Sequence, residues 1–210
     1  MPRPLPAAAS STSGSSGIAI GDTAWASGLD ATAMGVNSTA SGINGIALGT
    51  NSEASALDTS ALGNFAVANH SGSTALGTNS TADALGSTAV GQGSMASGIY
   101  SIASGEIAVA SGDGSSAYGD NSRALDTNAA AMGINSTASG ISSLALADNA
   151  LASGDYSIAS GLDSNAAGTS SIAMGNTANA TNAGGVAIGL DSNALNDNTI
   201  AIGTNASAGT

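Results

Sequence analysis

The chain lacks the residues from which most binding and catalytic sites are built. Its 210 residues include no cysteine, no lysine, one histidine, five aromatic residues and three prolines. The absence of cysteine excludes a disulfide scaffold. With no lysine or cysteine and only His70, Schiff-base and Cys/His chemistry are excluded, and a Ser/His/Asp arrangement has a single possible centre. His70 occupies a slot that glycine, asparagine or aspartate fills elsewhere, so it reads as a turn residue. Two arginines stand against 14 acids, and the net charge of −12 repels phosphate backbones and anionic headgroups. No window approaches the roughly 20 apolar residues of a membrane helix, so no membrane insertion by this segment is expected. The scarcity of aromatics leaves too little bulk for an ordinary globular core.

What is abundant is small and periodic. From Ala19, every seventh residue through Ala208 is alanine, 28 positions without exception. The full unit is fourteen residues, because alternate alanines have different neighbours. The set Ala19, Ala33 and Ala47 onwards is flanked by Ile, Leu, Val or Met at 19 of 28 positions; the set Ala26, Ala40 and Ala54 onwards has only seven large apolar neighbours. Glycine follows the first set by two residues in 13 of 14 units, Ala147 being the departure, and the second set in seven. Both slots are expected to be left-handed turn positions that end short strands. Glycine at nearly every seventh residue excludes helix.

Units this short bury nothing alone, whereas stacked coils form parallel sheets. The expected fold is all-β: a parallel β-roll, or β-solenoid, of about 14 coils over residues 17–210. Residues 1–16, which hold all three prolines, are expected to form a flexible Pro/Ala/Ser/Gly-rich leader. Strand neighbours point to opposite faces, so Ala19, Ala26, Ala33, Ala40, Ala47 and Ala54 are expected to fill a thin coil interior. The competing assignment puts the large residues inside, but it leaves the second strand contributing mostly Ser and Thr to the core.

With alanines inside, an apolar ladder lies outside. It runs through Ile18, Ile20, Met34, Ile46, Leu48 and Leu62, continues with Leu76, Val90, Ile102, Met132, Leu144 and Leu146, and ends with Ile172, Met174, Val186, Ile188, Ile200 and Ile202. A stripe of this length exceeds what soluble monomers expose, so it is expected to be an interface between identical chains about a symmetry axis.

The units "NSTASGINGIALG" (37–49), "NSTASGISSLALA" (135–147) and "GVAIGLDSNAL" (185–195) resemble the head repeats of YadA-like trimeric autotransporter adhesins, over residues 17–210. The resemblance implies a left-handed roll, a side-by-side homotrimer, display outside a bacterial cell and adhesion to host matrix or other surfaces. The neck, heptad stalk and anchoring barrel that usually follow such heads are not found in this sequence. Two functions are therefore expected: a non-catalytic adhesin head, or the subunit of an extracellular filament built by end-to-end stacking.

No catalytic, cofactor or metal site is expected. Asp22, Asp120 and Asp148 share one turn column and Asp163 and Asp191 another, too scattered to converge on a cation. A regular threonine ladder, as ice binding would need, is absent, since Thr32, Thr74 and Thr88 alternate with Ile and Ser. Residues that break the repeat are the better binding candidates. Trp25 and Arg123 occupy an outward slot of the second strand, as do Met95, Val109 and Leu151, and both are types enriched at binding hot spots, so they are expected at a ligand or end contact. Phe65, Tyr100 and Tyr156 fall on turns, and Ser104, Tyr118 and Ser160 interrupt the ladder.

Overall fold

The computed structural model describes residues 9–209. These residues form an all-β parallel β-solenoid of about fourteen coils, with 29 strands from β1 (Ser11–Thr12) to β29 (Ser207–Ala208) and no helix. Apart from β1, odd-numbered strands have two residues and carry the second set of alanines; even-numbered strands have three and carry the first. The chain divides into two compact units, Met1–Gly93 and Ser94–Thr210. In the first, odd strands β1 to β11 stack in one sheet and even strands β2 (Ile18–Ile20) to β12 (Thr88–Val90) in the other. In the second, β13 (Met95–Ala96) to β29 and β14 (Ile102–Ser104) to β28 (Ile200–Ile202) repeat that arrangement.

The register is fourteen residues throughout: Ala33 pairs with Ala47, and Ala117 with Ala103 and Ala131. Each coil donates amides forward, as Ile18 N does to Ala31 O at 2.9 Å, and backward, as Gly35 N does to Ile20 O at 2.8 Å. Short strands survive because the ladder bonds of neighbouring coils cover them on both sides.

The solenoid starts earlier than the composition suggests. Ser11 and Thr12 lie inside the span expected as a flexible leader, yet β1 pairs in parallel with β3 (Trp25–Ala26), Thr12 opposite Ala26. Thr12 stands seven residues before Ala19, on the extrapolated alanine column, and the proline-rich composition upstream hid that continuation. Residues 1–8 of the expected leader, and Thr210, lie outside the described residues.

The interior is a seam of small side chains. Ala26, Ala33, Ala40, Ala47 and Ala54 are fully buried, while Ala19 is partly exposed because β2 begins its sheet and has a neighbour on one side only. A second inward column stands two residues before each alanine and is mostly serine, as at Ser38, Ser80 and Ser122. Ser38, Ser52 and Ser80 return their hydroxyls to the carbonyl three residues back at 2.8–2.9 Å. No fully buried side chain among the described residues is larger than Thr59.

The turns differ from expectation in one respect. The slot after the first set is left-handed, as at Gly105 with φ 145°. The slot after the second set is not, since Gly28, Gly42 and Gly98 lie outside the left-handed region. Small size is the constraint there, because a Cβ on Gly42 would sit 1.8 Å from the Ala56 carbonyl oxygen. The regular left-handed position is instead three residues before every alanine, from Ser16 to Asn205, with φ between 52° and 70°. Asn, Asp or Gly fills 19 of those 28 positions, the types that tolerate this conformation most easily.

Ala147 reaches φ 103° in a slot where 13 glycines stand. Ala147→Gly is therefore expected to stabilise the protein by up to about 1 kcal/mol, backbone relief outweighing the added freedom of the unfolded chain. A urea midpoint measures it.

Candidate binding faces

A two-sheet roll has two outward faces, and here they differ in chemistry. The even strands place their flanking residues outward, in register from rung to rung. Leu48, Leu62 and Leu76 follow one another along β6 (Ile46–Leu48), β8 (Ser60–Leu62) and β10 (Thr74–Leu76). In the second unit Met132 pairs with Leu146 of β20 (Leu144–Leu146), and Val186 pairs with Ile172 and Ile200. Ile18, Ile20, Met34, Ile46, Leu76, Met132, Met174, Ile200 and Ile202 are exposed; Leu48, Leu62, Val90, Ile102, Leu144, Leu146, Ile172, Val186 and Ile188 are partly exposed. Ser104 pairs with Tyr118, so the two interruptions form adjacent polar rungs, and Ser160 lies between Leu146 and Met174.

The odd strands present a mixed face. Trp25 is half exposed between Ser11 and Thr39. In the second unit Met95, Val109, Arg123, Thr137 and Leu151 occupy consecutive rungs of one column. Arg123 is exposed and makes no ion pair among the described residues. Trp25 lies in the first unit and Arg123 in the second. Beyond Leu151 the column becomes Asn165, Asn179 and Asn193, whose amides bond from rung to rung at 3.0 and 3.4 Å.

The side chains of four of the scattered aspartates have local partners. The Asp120 carboxylate accepts the Glu106 amide at 3.2 Å and Asp148 accepts that of Ile134 at 3.1 Å, each serving the coil before its own. Asp163 and Asp191 lie on the left-handed column, where they accept hydrogen bonds from Asn149 and Thr177. His70 Nδ1 stands 3.2 Å from an Asp83 carboxylate oxygen, both side chains half exposed. Among the described residues no group of three His, Cys, Asp or Glu is placed to hold a metal ion.

Residues that the repeat pattern did not single out also stand exposed. Leu29, Ile43 and Leu57 share a corner column of the first unit, and Ile134, Leu162 and Leu190 another in the second. Their recurrence, every fourteen residues in the first column and every twenty-eight in the second, was the available signal, and the stronger alanine period masked it.

A model of the YadA head domain repeat, two copies long, matches eleven segments between residues 13 and 206, most of them overlapping, from 13–38 and 26–52 to 166–192 and 180–206. Inside that stretch the matches omit Met95, residues 123–126 and Ala147, which include Arg123 and the one non-glycine of the first turn slot. No curated protein matches the chain significantly. Both the alanine-centred coil and the matched segments run through most of the chain, which belongs to the family of YadA head domain repeats, a family of adhesins.

Proposed function

We propose that the chain is a non-catalytic adhesin head displayed at the bacterial cell surface, where three copies associate side by side and hold host matrix or another external surface. The observation that carries this reading is the apolar ladder on the outward face of the even strands. Within one chain nine of its eighteen side chains are exposed and nine partly exposed, whereas the alanines of the seam are almost all fully buried. Burying a Leu, Ile or Met side chain is worth roughly 1.5–3 kcal/mol, so a ladder of this length favours association strongly. Within each unit adjacent rungs are in register, so every chain offers the same apolar strip, interrupted in the second unit at Ser104, Tyr118 and Ser160, and identical strips suit a rotationally symmetric interface. With that face turned to the axis, the odd-strand face of each unit, carrying Trp25 in the first and Arg123 in the second, points outward, where a ligand meets it.

Replacing Leu48, Leu62 and Leu76 together by Asp tests the interface. All three side chains point away from the seam, so each chain should keep its β-sheet circular dichroism. The sedimenting mass should fall to that of one chain. A trimer that survives the triple substitution would show that this ladder does not face the axis.

A further inference from the structure

Four of the 28 left-handed positions carry a bulky side chain in place of Asn, Asp, Gly or a small hydroxyl residue: Phe65, Tyr100, Ile107 and Tyr156, at φ 56–59°. Side chains of this kind are strained there, most of all when branched at Cβ. Packing could offset the strain, yet these four are 50–66% exposed. The stacked backbone holds the conformation, as the Phe65 amide donates to Thr50 O at 2.9 Å and the Tyr156 amide to Ile141 O at 2.8 Å, but the side chains themselves stay at least half exposed.

Tyr100 and Tyr156 stand in one corner column of the second unit, four coils and about 19 Å apart along the stacking direction. Between them the column presents Gly114, Asn128 and Ser142, a low polar track. Asn128 Oδ1 leans toward Gly114, lying 2.6 Å from where a Cβ would be, so glycine there makes room for the amide. Beside the tyrosines, the Asp113 carboxylate accepts the Ile99 amide at 2.8 Å and Asp155 accepts that of Ile141 at 3.0 Å. Each carboxylate keeps a second oxygen without a hydrogen bond among the described residues.

We propose that this ridge binds a neutral oligosaccharide. Exposed tyrosine faces offer stacking surfaces for sugar rings, and carboxylate, amide and hydroxyl groups between them accept and donate to sugar hydroxyls. Charge argues for a neutral ligand, because the ridge holds two carboxylates and no cation in a chain of net charge −12. The same carboxylates argue against a second copy of the chain seated here, since opposing ridges would bring like charges together. The assignment rests on the adhesin reading, whose ligand class it names.

The test titrates the whole chain with cellotetraose, chitotetraose and maltotetraose by calorimetry. At least one should bind, and Tyr100→Asn and Tyr156→Asn should each weaken that sugar about tenfold, the loss of one stacking contact. Each variant should also raise the urea midpoint, because Asn accepts the left-handed conformation. A merely structural role would lower it. No binding by any of the three sugars, or binding unchanged in both variants, overturns the proposal while leaving the trimer reading intact. Loss of the wild-type sedimenting mass in either variant also overturns it, assigning the ridge to a contact between subunits.

Discussion

Ala117→Leu is expected to unfold the second unit. Ala117 lies at the centre of β16 (Ser116–Tyr118), fully buried, with Ala103 and Ala131 on the rungs either side. Across the seam β16 packs against β15 (Val109–Ala110) and β17 (Arg123–Ala124), which present Ala110 and Ala124. Three added carbons would enter a space where nothing larger than Thr59 is fully buried among the described residues. The sheets cannot part locally, because each coil is hydrogen-bonded to its neighbours on both sides. Overpacking usually costs about 1–3 kcal/mol, and a seam this thin with no freedom to swell should lie at or above the upper end. Ala130→Leu is the control. Ala130 flanks the neighbouring rung's alanine but points outward in a column that elsewhere holds Ile and Leu, so it should leave the urea midpoint nearly unchanged. An unchanged midpoint for Ala117→Leu would mean that the alanine column is not the interior.

The legible part of this fold was what the seven- and fourteen-residue periods carry. The alanine column, the parallel register and the first turn slot all repeat without insertion, so one physical argument about Ala19 and Gly21 serves every coil. What stayed hidden was each position's backbone conformation where several residue types share a column. Asn37, Asp58, Gly72 and Tyr100 look unrelated in sequence, yet all are left-handed, because the constraint acts on φ and each type meets it at a different cost. Gly28 and Gly42 misled for the converse reason: glycine there answers a close approach of backbones, not a positive φ. The binding faces were legible only as deviations. Arg123 and Trp25 stand out against Thr and Asn in their column, and the fourteen-residue period alone puts Tyr100 and Tyr156 in one column, but a pattern of side-chain types does not reveal that Arg123 makes no ion pair among the described residues.

Gly105→Ala is expected to be nearly as damaging as the seam substitution, and it separates two reasons for a glycine. Gly105 has φ 145°, and a Cβ built there would sit 2.3 Å from the Gly119 carbonyl oxygen and 2.5 Å from its carbon. Gly203 occupies the same slot with φ 123° but meets nothing within 4 Å. Gly203→Ala should therefore pay the conformational cost alone, about 1–3 kcal/mol for a residue held in a sparsely populated region. Gly105→Ala pays that and must also displace the backbone of the coil stacked on it, so its urea midpoint should fall clearly further. Ala147 bounds the difference, because its φ of 103° shows that one coil can rotate to admit a methyl group. That rotation makes the expected loss at Gly105 finite. Equal losses at the two glycines would mean that conformation, not the close approach of stacked coils, sets the requirement for glycine along this column.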